Sequence, residues 1–166
     1  MASDTAQLAA LDSQGDGLRV VFEKRGDRWQ HRIERVNGAA AVTVLQSSEG
    51  MATDDWPASP PFQELSQETL PDGRTVLFLV GRAGTSHWSA SIEASQEPPQ
   101  LIFDIACRHT QPPARLGSAY SALAEGLALE ALLGQYAESA VMPDTIATRL
   151  PGTTRWKYRV IETQRG

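Results

Sequence analysis

The chain has 166 residues, 41% of them hydrophobic, enough for one folded domain with a real core. Its net charge of −5 is the wrong sign for a nucleic-acid module of this size, and no apolar run approaches the roughly 20 residues of a membrane-spanning helix. A single cysteine, Cys107, excludes an internal disulfide and every zinc site that needs a pair of cysteines or more.

Residues 1–17 are small, polar and punctuated by glycine. They are expected to form a disordered tail, followed by a single β-rich domain over 18–166. No basic region leads into an apolar stretch at the start, so nothing reads as a secretory signal and the cytoplasm is the expected compartment. From Leu18 the apolar side chains recur every second position. Leu18, Val20 and Phe22 share one face, with Arg19 and Glu23 opposite. Arg25-Gly26-Asp27 makes a turn. The next run sets Trp29, His31 and Ile33 against Arg28, Gln30, Arg32 and Glu34, which predicts a hairpin with an apolar and a charged side. Asn37-Gly38 is a turn signal, and 41–46 follows as a strand.

Three prolines make 47–61 a loop. Trp56 within it either plugs the edge of the core or anchors a ligand. Glu49, Asp54 and Asp55 share the loop; they could serve acid–base chemistry or calcium, but lack the fixed spacing of a calcium loop. A strand over 62–70, a turn at Pro71-Asp72-Gly73 and a central strand over 75–80, apolar on both faces, come next. Two further strands, 87–94 and 101–107, are expected before Gln111-Pro112-Pro113. Leu123, Leu127, Leu132, Leu133, Tyr136 and Ala140 recur at helical spacing and predict a helix from about Ser121 to Ala140. Gly126 and Gly134 weaken it by about 1 kcal/mol each. A last hairpin is expected around Pro151-Gly152-Thr153, with Trp156, Tyr158 and Val160 inward.

Alternation also sets a register. Matching apolar positions pairs Trp88 with Cys107, Ala90 with Ile105 and Ile92 with Phe103. A one-residue slip would turn one apolar set outward. The other face then pairs His87 with Arg108, Ser89 with Ala106 and Ser91 with Asp104. Docking the 75–80 strand puts Leu79 opposite Trp88, Leu77 opposite Ala90, Val80 opposite His87 and Phe78 opposite Ser89. Val76, Phe78 and Val80 would be an exposed apolar liability on that polar face, so the leucine-rich helix is expected to cover them.

Ser, His and Asp on one sheet invite a hydrolase reading. Ser86 and His87 point to opposite faces, however, and Ser89 sits mid-strand with its N–H spent on the ladder. No G-x-S-x-G occurs. Cys107 and His109 share a face and could begin a metal site, but a buried small residue and a hydrogen-bonded core histidine explain them as well. His31 reads the same way. The loop Gly81-Arg82-Ala83-Gly84-Thr85-Ser86 could form an anion nest, although no GK[ST] or helix follows it. The basic runs 19–35 and 149–165 read as solvated strand faces. No metal and no cofactor is expected.

The strings GDRWQHRIE, SSEGMATDDWPASPPFQEL, GRAGTSHWSAS and FDIACRH resemble a family of uncharacterised proteins from planctomycete-type bacteria. The resemblance covers about 18–120. It implies no activity or cofactor, and marks Trp56, Ser86, His87, Trp88, Asp104, Cys107 and Arg108 as landmarks.

The expected architecture is mainly β, an antiparallel sandwich or strongly curved sheet of about eight strands with one C-terminal α-helix packed on it. The expected function is a non-catalytic module that binds a small molecule or protein through Trp56, Arg82, Ser86, His87, Ser89, Ser91, Asp104 and Arg108. Nucleic acid and membrane are not expected partners. The alternative is a small enzyme for an anionic or ester substrate, with Arg82 and Arg108 as anchors, His87 as acid–base and Asp104 orienting it. A third reading is a homo-oligomer joined through Trp156, Tyr158 or a sheet edge.

Overall fold

Thirteen strands and no helix account for the regular structure of residues 4–163, the part that the computed structural model describes. They are β1 (Thr5–Leu11), β2 (Asp16–Arg25), β3 (Arg28–Asn37), β4 (Ala40–Ser47), β5 (Glu64–Thr69), β6 (Thr75–Ala83) and β7 (Ser86–Gln96). The rest are β8 (Pro99–His109), β9 (Ser118–Ala122), β10 (Leu127–Leu133), β11 (Gln135–Ala137), β12 (Ala140–Met142) and β13 (Gly152–Glu162). Seven form one sheet in the order β1-β2-β3-β4-β9-β12-β11, and six form a second in the order β10-β13-β8-β7-β6-β5. Every pairing is antiparallel. The two sheets share one core, as in a β-sandwich.

The predicted helix over 121–140 is absent. That stretch holds the end of β9, then β10, β11 and the first residue of β12. Gly126 and Gly134 bracket β10 at φ +118° and +119°, values no helix residue adopts. Between them Leu127, Leu129 and Ala131 pack on the core at alternate positions, while β10 zips along β13. The leucine spacing fits a strand and a helix alike over so short a run; the unpaired side of β13 decides it. Val76, Phe78 and Val80 therefore have no helical cover. Val76 is buried within the sheet, Phe78 is half-buried, and Val80 is 45% exposed.

Residues 5–11, expected in the tail, form edge strand β1 along β2, with Leu8 and Ala10 buried. Alanine-rich alternation is too weak a hydropathy signal to announce a strand, yet small side chains fit where the two sheets close. The last hairpin is also different. The stretch 146–150 is not a strand, and β13 pairs with β8 and β10 instead.

Trp156, Tyr158, Phe22, Phe103, Leu18 and Ile33 are among the largest fully buried side chains, each worth about 1.5–3 kcal/mol in burial. A polar chain crosses this core between the sheets. The His31 ring Nε2 is 2.6 Å from the Tyr120 hydroxyl, which is 2.6 Å from the Tyr158 hydroxyl. Tyr158 stacks on Phe103 at 4.8 Å, and Trp156 Nε1–H donates to Ser118 Oγ at 3.0 Å. Such groups tolerate burial because each finds a partner. Trp156 and Tyr158 are thus core residues, which removes them from any contact between copies.

Candidate functional site

The polar face proposed from alternation exists, and strands β6, β7, β8 and β13 build it. The β7–β8 register matches the expected pairs, including His87 with Arg108 and Ser91 with Asp104. The β6 register differs by two residues. Leu79 faces Ala90 and Val80 faces Ser89, so Arg82, placed in a loop by the sequence reading, lies on the strand opposite His87. A two-residue slip keeps every side chain on its own face, and hydropathy cannot detect it. The two-residue turn at Gly84-Thr85 sets the register instead.

With that register, three rows cross the outer face of the second sheet. One runs Arg82–His87–Arg108–Thr153, the next Glu64–Val80–Ser89–Ala106–Arg155, and the third Ser66–Phe78–Ser91–Asp104–Lys157. Neighbours within a row stand about 4.8 Å apart and adjacent rows about 7 Å. The middle row has Val, Ser and Ala at its centre, between longer side chains. The result is an open trough, a cavity of about 620 Å³ bounded by the first row, by Glu64, Val80, Ser89 and Ala106 of the second, and by Gln63. Gln63 pins its end. Its side-chain amide donates to Arg82 O at 2.9 Å and accepts from Arg82 N at 3.2 Å.

The electrostatics are uneven. Among the described residues neither Arg82 nor Arg108 holds a carboxylate in an ion pair. Asp104 is taken by Arg155, at 3.1 Å and 3.3 Å, and so is turned to Arg155 rather than to His87. Ser89 lines the trough, whereas Ser91 and Asp104 line a smaller depression of about 220 Å³ beside it. In the basic run 19–35, Arg19 pairs with Glu34 and Arg32 with Glu23 across β2 and β3, and Arg32 also reaches Glu34 along its own strand.

Two expected members of the site lie elsewhere. Ser86 alternates to the inner face and is 2% exposed. Trp56 packs on the inner side too, edge-on to Trp88 at 6.1 Å and to His109 at 6.4 Å, so it is the core plug and not the anchor. His109 uses both ring nitrogens, with Thr154 Oγ1 at 2.9 Å and Gln111 O at 3.0 Å. Burial pushes the neighbouring Cys107 thiol up to about 12. No group of three metal-ligating side chains occurs among the described residues. Among the described residues no helix is long and apolar enough to cross a membrane.

In the 48–63 loop, Asp54 caps its own turn by accepting from Met51 N at 2.8 Å. Glu49 is different. Its Oε1 is buried without a partner, and burial pushes its carboxyl up to about 7 against the pull of Ser47 and Arg28. Arg28 Nη1 is likewise buried and unpaired. Burial drives His31 the other way, down to about 3, and leaves it a neutral core imidazole.

Sequence reasoning missed Gln63, Glu64, Thr153 and Arg155. Thr153 and Arg155 reach the face on β13, far away in the chain, while Gln63 and Glu64 sit where the 48–63 loop enters β5, the hairpin partner of β6, and no local pattern marks them.

No family model matches the chain, and neither a curated protein nor a solved structure matches it.

Proposed function

We propose that the protein is a non-catalytic binding module, and that the trough on its second sheet takes a small anionic ligand. One observation carries the reading. Two guanidinium groups flank an imidazole on three consecutive strands at the wall of an open cavity, and among the described residues neither guanidinium is in an ion pair. An arginine pair held about 10 Å apart by two strand spacings can close on one anion from both sides. Ser89 and Thr153 add hydroxyl donors at the same wall.

The enzyme reading loses its support at Asp104. With that carboxylate held by Arg155, nothing in the cluster orients His87 as a base. A lone buried thiol fits the cytoplasm expected above. The test is titration of the protein with acetate, citrate and phosphate at low salt, followed through its amide resonances. Shifts should concentrate at 82, 87 and 108. Arg108→Ala should weaken binding about tenfold. Uniform shifts, or an unchanged affinity in a folded Arg82→Ala/Arg108→Ala variant, would remove the site.

A further inference from the structure

Glu64 ends the middle row at the edge strand β5, diagonal to Arg82. Diagonal neighbours on a sheet face lie about 7–8 Å apart, within reach of two long side chains. Yet the two form no ion pair, although both line the same cavity. Three other carboxylates of this outer face are in ion pairs, Asp104 with Arg155, Glu130 with Arg159 and Glu93 with Arg74, whereas Glu68, farther along β5 and outside the trough, resembles Glu64 in having none among the described residues. Glu64 thus keeps an unspent negative charge at one end of the trough. Arg82, His87 and Arg108 present the opposite character along its wall. Between them the middle row sets exposed Val80 next to Glu64, followed by Ser89 and Ala106.

That pattern is complementary to a molecule with a charge of each sign and a short hydrocarbon stretch between. We propose that the ligand is dipolar, an extended ω-amino carboxylate or a compound of the same charge pattern. Its carboxylate sits on Arg82, His87 and Arg108, and its ammonium on Glu64. The proposal rests on the anion-site reading above and narrows it. The lattice sets the length. Glu64 and His87 are two strands and one row apart, about 12 Å between Cα atoms. Their own side chains take up part of that span and leave about 7 Å between the ligand's charges, the reach of about five methylenes. Such a chain would lie over Val80, whose exposure is otherwise unexplained by packing.

The test compares 6-aminohexanoate with hexanoate at low salt, by calorimetry and amide shifts, on the native protein, Glu64→Gln and Glu68→Gln. The native protein should bind the amino acid about fivefold more tightly than the plain acid. Glu64→Gln, an exposed edge-strand change, should erase that preference without weakening hexanoate. Glu68→Gln, on the same strand but outside the trough, should leave the preference intact. Equal binding of the two ligands by the native protein overturns the dipolar assignment and leaves the anion site standing. Loss of the preference in Glu68→Gln as well would also overturn it, since general electrostatics would then suffice. Binding of neither ligand removes the anion site itself.

Discussion

Replacing Glu49 by glutamine removes a carboxyl that burial pushes up to about 7 from an ordinary 4.5. Its folded value lies above its unfolded one, so the neutral acid favours the folded state. That contribution is complete below about pH 4.5 and is lost as pH rises to about 7; beyond it the ionised form is a net cost. The interval is worth about 3 kcal/mol at 1.36 kcal/mol per pH unit, and partial solvation reduces it to about 2 kcal/mol. Glutamine is neutral throughout. Glu49→Gln should therefore match the native protein at about pH 5 and exceed its stability by about 2 kcal/mol at about pH 8.5. His31 has the opposite sign. Its folded value of about 3 lies below the ordinary 6.5, so its contribution is present above pH 6.5 and drains away as pH falls toward 3. The native profile combines both slopes, and only the difference between native protein and variant isolates Glu49. Urea denaturation followed by tryptophan fluorescence at fixed salt measures it. A difference that is flat with pH, or a variant less stable in alkali, would refute the account, because Glu49 would then be ionised and solvated in the fold.

Three further outcomes follow from the packing. Gly81→Ala would drive a Cβ into the Pro61 carbonyl, where the 48–63 loop crosses β6. A loss of about 3 kcal/mol is expected in urea, and a neutral result would mean the loop is not seated there. Tyr158→Phe removes the hydroxyl that partners Tyr120 and should cost about 1–2 kcal/mol, read as a lowered denaturation midpoint. Cys107 is fully buried with a thiol pushed up to about 12, so the folded protein should resist a thiol reagent at about pH 8 and react only after denaturation. Rapid labelling of the native state would contradict the core assignment.

Alternation made most of the candidate face legible. Trp88, Ala90 and Ile92 against Cys107, Ile105 and Phe103 leave one inward solution, and with it His87 and Arg108 become neighbours. The same reasoning failed wherever a wrong answer kept the pattern. The β6 slip of two residues is invisible to hydropathy, and the leucines of 123–133 satisfy a short helix and a strand alike. A loop carries no period, so alternation leaves Trp56 open between plug and anchor, while parity already sets Ser86 on the side opposite His87 and so off the candidate face.

Period-two hydropathy, the turn residues and the single cysteine determined a β-rich chain without disulfides, and which side chains of β7 and β8 look the same way. Those are properties of a strand and its immediate partner, and the chain writes them locally. Which strands meet across long stretches was decided only when both sheets closed on a common core. Closing the core made β10 the edge of the second sheet and brought Thr153 to the trough. It also gave Asp104 to Arg155. The physical reason is that burial and pairing are satisfied globally. A free strand edge recruits whatever segment can complete it, whatever that segment would prefer alone.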